Sequence, residues 1–460
     1  MKKLLLCALI LLILGPLWSD EEEPSQRPVT RTLEEQRLDT LRFGTETEIA
    51  SLIQTVRNEK VTYLDEELIG IANRTRNRNI LTGIFNLFAE MEQMGLEERA
   101  TRAILERDNE ANETVVAAVD YLGRAGAVDA IDVLEELINS EERRFLNNAF
   151  RALGRISKEA DALADRTALF LLDFYEHRNP GDDNRREIIV ALGETGSKEA
   201  VSFLSNLAGN ADERFPLRMV ALDALSKIAD ENGLDVIIEA VNSPDPNIRS
   251  TAVAALGPFS GEAVDNAILE AFRDSFFRTR IGAAQAAGRR QLESAVPFLR
   301  FRAENDEVPA VRDEAIRALG AIANEESIAI LNLFFTERRN SDRVRLVAAE
   351  MLLQNDADTY ATKAIIEMDE AKNRNQTALY NGFVRMMGSV KSDTLESFAR
   401  RLTSVGGVIE KSLALDIILT NEFRSLEDEM RSLLNERIHS ASIARKARTT
   451  LERLGFELVE

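Results

Sequence analysis

The chain has 460 residues, with 57 Lys and Arg against 78 Asp and Glu, and a net charge of −21. Such an acidic balance is a poor match for nucleic acid or for non-specific adhesion to anionic surfaces. One Cys and two His leave no disulfide framework and little from which to build a metal or nucleophile set.

At the front, Lys2 and Lys3 precede an apolar run from Leu4 to Leu14, which Gly15-Pro16 breaks. Ser19 stands just before Asp20-Glu21-Glu22-Glu23. A basic start, a short apolar core and a polar exit predict a secretory signal peptide over residues 1–19. The run is too short to span a bilayer comfortably. Ser19 suits the last position before cleavage, whereas Leu17 is larger than the usual small residue, so an uncleaved anchor and a buried helix stay open. Cys7 follows only leucines, unlike the Cys of a lipoprotein signal. Cleavage after Ser19 would remove the only Cys, the only Trp and two Lys, moving the charge from −21 to −23. A thiol-free chain suits an oxidising compartment, and the predicted location is periplasmic or secreted. Residues 20–31, rich in Glu, Pro, Ser, Gln and Arg, read as a flexible linker.

Beyond the linker the sequence repeats. Arg185, Arg218, Arg249, Arg280, Arg312 and Arg345 follow one another at spacings of 33, 31, 31, 32 and 33. Four of the runs they open close in Leu192-Gly193, Leu256-Gly257, Ala287-Gly288 and Leu319-Gly320, while Ser226 and Leu353 replace the Gly in the other two. Leu122-Gly123 and Leu153-Gly154 are earlier closings, Met387-Gly388 and Leu454-Gly455 later ones, and Phe43-Gly44 closes an incomplete first unit. A period of about 32 residues marks a helical solenoid.

Within a unit, Ala315, Ala318 and Leu319 follow Arg312 along one broad helix face. Ala221, Ala224 and Leu225, then Ala252, Ala255 and Leu256, then Ala283, Ala286 and Ala287 repeat the pattern. Small residues there let a second helix approach closely. Gly257, Gly288 and Gly320 are predicted to end the helix where positive φ is needed. The pairs Val201 and Leu204, Leu234 and Ile237, Val296 and Leu299, and Ile328 and Leu331 mark a return helix. Pro216, Pro246 and Pro309 fall at the next opening, where the early N–H groups have no intrahelical acceptor.

The predicted fold class is all-α: a right-handed α-solenoid of antiparallel helical hairpins. Degenerate repeats are predicted over 32–110, regular ones over 111–353, and degenerate repeats with a cap over 354–460, as expected for ends that shield a stack. The period implies about eleven hairpins. At helix spacings of roughly 8–10 Å the body would be about 100 Å long.

The units resemble the HEAT-repeat family, and especially the short HEAT-like repeats associated with bilin lyases. Val311-Arg312 through Ala318-Leu319-Gly320 carries the likeness best, followed by Asp245 with Ile248-Arg249 and Leu256-Gly257. It is good over about 185–353 and extends over about 111–455. The resemblance implies a curved protein-interaction surface. It does not imply lyase activity, because many members are binding scaffolds.

The recurrent Arg has two readings: a structural ladder that bonds helix-end carbonyls or Asp residues of adjacent units, and a row of anion-binding positions on the concave face. The first is preferred, because a position present in nearly every unit belongs to the repeat itself. Between Gly154 and Gly193 the unit is longer than the others. The excess falls around Asp173 to Asp183, so Tyr175, His177 and Arg178 form either a recognition tip or the end of a longer helix before a Pro-Gly turn. Basic clusters at Arg74, Arg76 and Arg78, and at Arg437, Arg445, Lys446, Arg448 and Arg453, are either local charge balance or docking points for an acidic protein or an anionic envelope surface. Phe276-Phe277 and Phe334-Phe335 are either core or an exposed anchor.

No serine nucleophile elbow, Walker loop or dinucleotide-binding turn is present. With His177 and His439 alone, no convergent acid, base and anion stabiliser is legible. The predicted function is a non-enzymatic, exported protein-binding scaffold or adaptor that requires no cofactor or metal and binds envelope or secreted proteins. The alternative is a self-associating structural component of the cell envelope, a homo-oligomer. Nucleic acid is excluded as a partner, and membrane contact would be peripheral only.

Overall fold

The computed structural model describes residues 32–158 and 161–457. The signal segment and most of the linker lie outside them. The described residues form twenty-six α-helices, with six short 3-10 turns, most of them opening return helices, and no strand. They pair into thirteen antiparallel couples rather than the eleven read from the period. The two extra couples come from the ends, where the Arg and Gly signals fade but helices such as Leu33–Phe43, Glu46–Glu59 and Ala441–Arg453 persist.

Two layers result. One contains the Arg-initiated helices, among them Asn112–Arg124, Arg143–Ser157, Asp182–Thr195, Phe215–Ile228, Pro246–Ala255, Phe277–Arg289, Pro309–Ile322 and Asp342–Asn355. Successive members pack directly along their length. The other contains the return helices, which meet one another only sparsely and lean instead on the first layer. The marker residues behave as their spacing requires: Ala221, Ala252, Ala283, Ala315 and Leu319 are fully buried. Pro216, Pro246 and Pro309 occupy the first turns of their helices.

The closing glycines act differently from the expectation. None of Gly257, Gly288 and Gly320 has positive φ; the positive-φ residues fall three or four places later, at Gly261, Gln291 and Ala323. The glycines are instead contact points between helices of the first layer. A Cβ on Gly123 would lie 2.6 Å from the Ala152 Cα, one on Gly154 2.9 Å from the Ala191 Cα, and one on Gly193 2.8 Å from the Ala224 Cα. Thus the Gly of one unit receives the Ala of the next Ala-Leu-Gly. Ala152 and Gly154 are two places apart, so they point to nearly opposite sides of their helix. One touches the unit before, the other the unit after.

This small-residue ladder sets the curvature. Helices in contact through Gly and Ala sit closer than helices separated by Leu and Phe. The Arg-initiated layer is therefore the inner, concave one, and the return helices form the convex side. The curve brings the ends within electrostatic reach of each other: the Glu452 carboxylate, on the last helix, feels the Arg37 guanidinium and the Glu59 carboxylate of the first couple. The about 100 Å read from a straight stack is a contour length, not a span.

Candidate protein-binding surface

The recurrent Arg side chains form a structural ladder along the edge where return helices hand over to inner helices. Arg249 donates to both carboxylate oxygens of Asp274 (2.9 and 3.1 Å) and to the Ser243 and Pro244 carbonyls. Arg280 donates to both oxygens of Asp306 (2.7 and 2.8 Å) and to the Asp274 and Ser275 carbonyls. Arg312 donates to the Asp306 carbonyl. Each Asp therefore serves two units, its carboxylate taking the preceding Arg and its carbonyl the following one. Burial pushes the Asp274 and Asp306 carboxyls up, but the paired guanidinium and a backbone N–H hold both below the usual carboxylate range. Arg345 repeats the device with Glu367 and the Phe335 carbonyl. Among the described residues Arg218 has the Ala208 carbonyl and no acid, because Ser243 stands where its acid would be.

Toward the C-terminus a different trio replaces the ladder. Glu410 accepts from Tyr380 Oη at 2.8 Å and from Lys372. Burial acts against its charge, yet the Lys372 and Tyr380 bonds carry the carboxyl down to about 2. Asp274, Asp306 and Glu410 are important residues that the sequence reading missed. The signal for the two Asp was there: each lies 25 or 26 places after its Arg.

The concave face carries alternating charge. Arg151 pairs with Glu187 at 2.6 Å, Lys227 with Glu194 at 2.8 Å, and Arg343 with Asp313 at 2.6 Å. These pairs tie each inner helix to the next. Where the inner helix Pro246–Ala255 is short, a cleft of about 410 Å³ opens, lined among others by Asp223, Ser250, Arg278, Gln285 and Arg289. Its floor is small because Gly282 lies against the Ser250 carbonyl, where even a Cβ would come within 2.9 Å. Arg289 bends back to the Ala254 carbonyl and fills the space beside Gly257. Ala255, expected in a packed seam, is buried on this cleft's wall.

The three clusters singled out in sequence lie in separate couples, and the structure does not bring them together. Arg74, Arg76 and Arg78 are exposed around the turn between helices Asp65–Arg74 and Arg78–Met91. The long unit is a long helix, Asp161–His177, followed by the Pro-Gly turn. Tyr175 is no projecting tip: its ring packs edge-on against Phe203 at 4.8 Å, beneath the Arg185 guanidinium at 5.4 Å. Burial, opposed by Arg185, raises its hydroxyl pKa. Arg178 reaches Glu141 of the preceding junction at 2.8 Å, and exposed His177 contacts Asp173 one turn back. On the last helix Arg445 and Arg448 are exposed, whereas Lys446 is held by Asp416 and Ser412 at 2.7 and 2.8 Å. Phe334 and Phe335 are core, and Phe276 and Phe277 are half-buried against each other.

Among the described residues no group of three or more His, Cys, Asp or Glu is placed to hold a metal ion. Among the same residues no helix is long and apolar enough to cross a membrane.

The deoxyhypusine hydroxylase of Schizosaccharomyces pombe (strain 972 / ATCC 24843) is 26% identical over 219 residues, 40% of this chain and 67% of that protein. The crystal structure of Kap121p bound to Pho4p is similar over 92% of this chain and 54% of its own, at 13% identity and a TM-score of 0.39. This chain thus spans about half the length of that solved structure. Human deoxyhypusine hydroxylase in complex with glycerol is similar over 63% of this chain and 99% of its own, at 20% identity and a TM-score of 0.25. Residues 41–450 match the description of the spirochaete HEAT repeat protein. The repeats thus have a home wider than the bilin-lyase type: with nearly its whole helical body matched, the chain belongs to the spirochaete HEAT repeat protein family.

Proposed function

We propose that this protein is an exported, non-enzymatic scaffold that holds other proteins on the concave face of its inner helices. The observation that carries the reading is the continuous, charge-alternating inner face, with a cleft of about 410 Å³ at its middle. The cleft is shallow in chemistry: Asp223, Ser250, Arg278, Gln285 and Arg289 offer donors and acceptors on both sides, suited to an extended polar peptide segment. Many modest contacts along such a face add up without any single deep pocket. The partners are envelope or secreted proteins, reached through the signal peptide expected over 1–19. The short apolar run and the absence of Cys after residue 7 support the export reading.

No enzymatic role is proposed. The likeness to deoxyhypusine hydroxylase is 26% over part of the chain, and that does not carry an activity across. A lyase role is not proposed either. The alternative of an envelope component that polymerises end to end is less well supported, because Glu452 already lies within electrostatic reach of Arg37 and Glu59 of its own chain.

Crosslinking in intact native cells, followed by identification of captured neighbours, tests the proposal. Reproducible capture of envelope proteins through Arg278 and Gln285, lost in an Arg278→Glu and Gln285→Glu double variant, would support it. Capture of the protein by itself through its terminal helices would favour the structural alternative. Recovery of the chain in the cytoplasm with residues 1–19 intact would overturn the export component.

A further inference from the structure

The inner-helix openings near the C-terminus expose large apolar residues that the fold itself does not use. Val405 is 81% exposed, Val408 56%, Ile409 51% and Ile438 71%. Val405 ends one helix, Gly406-Gly407 forms the turn, and Val408 and Ile409 open the next. Ile438 occupies the corresponding turn one couple later, before Ala441–Arg453. The two turns are neighbours, since Lys411 Nζ lies 3.2 Å from His439 Nδ1.

Basic groups flank these tips. Arg437, Arg445 and Arg448 are exposed, and among the described residues none of the three sits in an ion pair. Lys411 adds a further charge beside Ile409. Burial first, and then Lys411, lowers the His439 pKa, so the imidazole is neutral at pH 7 and the positive charge resides on Lys and Arg. On a chain with a net charge of −21, Lys411, Arg437, Arg445 and Arg448 outnumber Glu410 and Glu436 at these turns.

The shape argues for a soft partner. The apolar residues project from successive turns along an edge and do not line a groove, so a rigid protein would need matching sockets at each couple. A bilayer interface accepts separate apolar tips at one depth, while basic side chains meet the headgroups. Repulsion of the remaining acidic surface by an anionic membrane would leave this rim as the approach face.

We propose that the rim formed by Val405, Val408, Ile409 and Ile438, with Lys411, Arg437, Arg445 and Arg448, is a peripheral docking surface for an anionic lipid bilayer. The test is co-sedimentation of the full chain with phosphatidylglycerol-rich vesicles and with phosphatidylcholine vesicles, at low and high salt. Every variant retains the apolar run Leu4–Leu14, so the readout is the difference between variants. Val405→Asp with Ile438→Asp, and separately Arg445→Glu with Arg448→Glu, should each weaken binding to anionic vesicles by about tenfold. Both changes lie on exposed positions and should leave the melting temperature unchanged. High salt should reduce wild-type binding toward that of the charge variant. Equal binding by wild type and both variants, or binding indifferent to lipid charge and to salt, would overturn the proposal. Loss of a crosslinked acidic protein in the same variants, with vesicle binding unchanged, would assign the rim to a protein partner instead. Failure here leaves the concave-face reading intact, because Arg278 and Gln285 lie on the other surface.

Discussion

The inner and outer helix layers are built from the same chain at the same period, yet they pack by different rules. In the inner layer, contact is made by Gly and Ala: a Cβ on Gly193 would come 2.8 Å from the Ala224 backbone. In the outer layer, Leu204, Ile237, Leu299 and Leu331 are buried, and their helices pack more heavily on the inner helices than on one another. A difference in side-chain size between layers is thereby converted into curvature. The inner layer is intolerant of added volume, and the outer layer keeps freedom on its exposed side.

The largest effect is expected where the two layers are tied at their shared edge. Arg280→Ala strips buried Asp306 of its two-pronged guanidinium, leaving it Arg302 at 3.4 Å and the Val308 N–H, and should cost about 3 kcal/mol. Chemical denaturation reads this directly, and a change below a third of that would mean the ladder is decorative. Next, Gly193→Val places branched carbons against the Ala224 backbone and should cost about 1–3 kcal/mol. Small-angle scattering should show the curve opening; a stable variant with unchanged dimensions would break the link between glycine and curvature. Acid should separate the ladder from the rest. The folded-state carboxyls of Asp274, Asp306 and Glu410 lie below their ordinary values. Their contribution is therefore fully present above the unfolded pKa and is lost as pH falls through the folded one. For Glu410 that window runs from 4.5 down to about 2. Glu410→Gln should flatten the melting temperature against pH in that window, and an unchanged slope would count against the trio. The smallest effect belongs to the outer face: exposed Leu333→Ala should stay within about 0.5 kcal/mol. A larger loss would show that the outer layer is packed more tightly than its sparse contacts indicate.

Much of this fold was legible in the residues. The Arg spacing, the Ala positions and the Pro openings all point to paired helices, and each is periodic because every unit meets the same neighbours. The glycines were legible as markers but not as contacts, since a helix-ending Gly and a close-approach Gly look alike without the neighbouring helix. Tyr175, His177 and Arg178 looked available because sequence displays polar and aromatic groups without their partners; Phe203 and Glu141 come from other elements that only folding brings near, while Asp173 lies one turn back on the same helix as His177. Asp274 and Asp306 were missed because Asp is common on an acidic surface, and their spacing of 25 or 26 from the repeat Arg stands out only once the pairing is seen.

The sequence by itself determined that this chain is a stack of helix couples, which residues are buried in each, and that neighbouring units are held by repeated small residues and Arg. Those are nearest-neighbour properties, and a periodic pattern encodes them unit by unit. Only the tertiary structure decided which layer is concave, that Glu452 feels the charges of Arg37 and Glu59, and that Val405, Ile409 and Ile438 lie on neighbouring turns. These follow from small rotations accumulated over thirteen couples. No single unit carries that sum, because it depends on the difference in packing distance between two layers at every step.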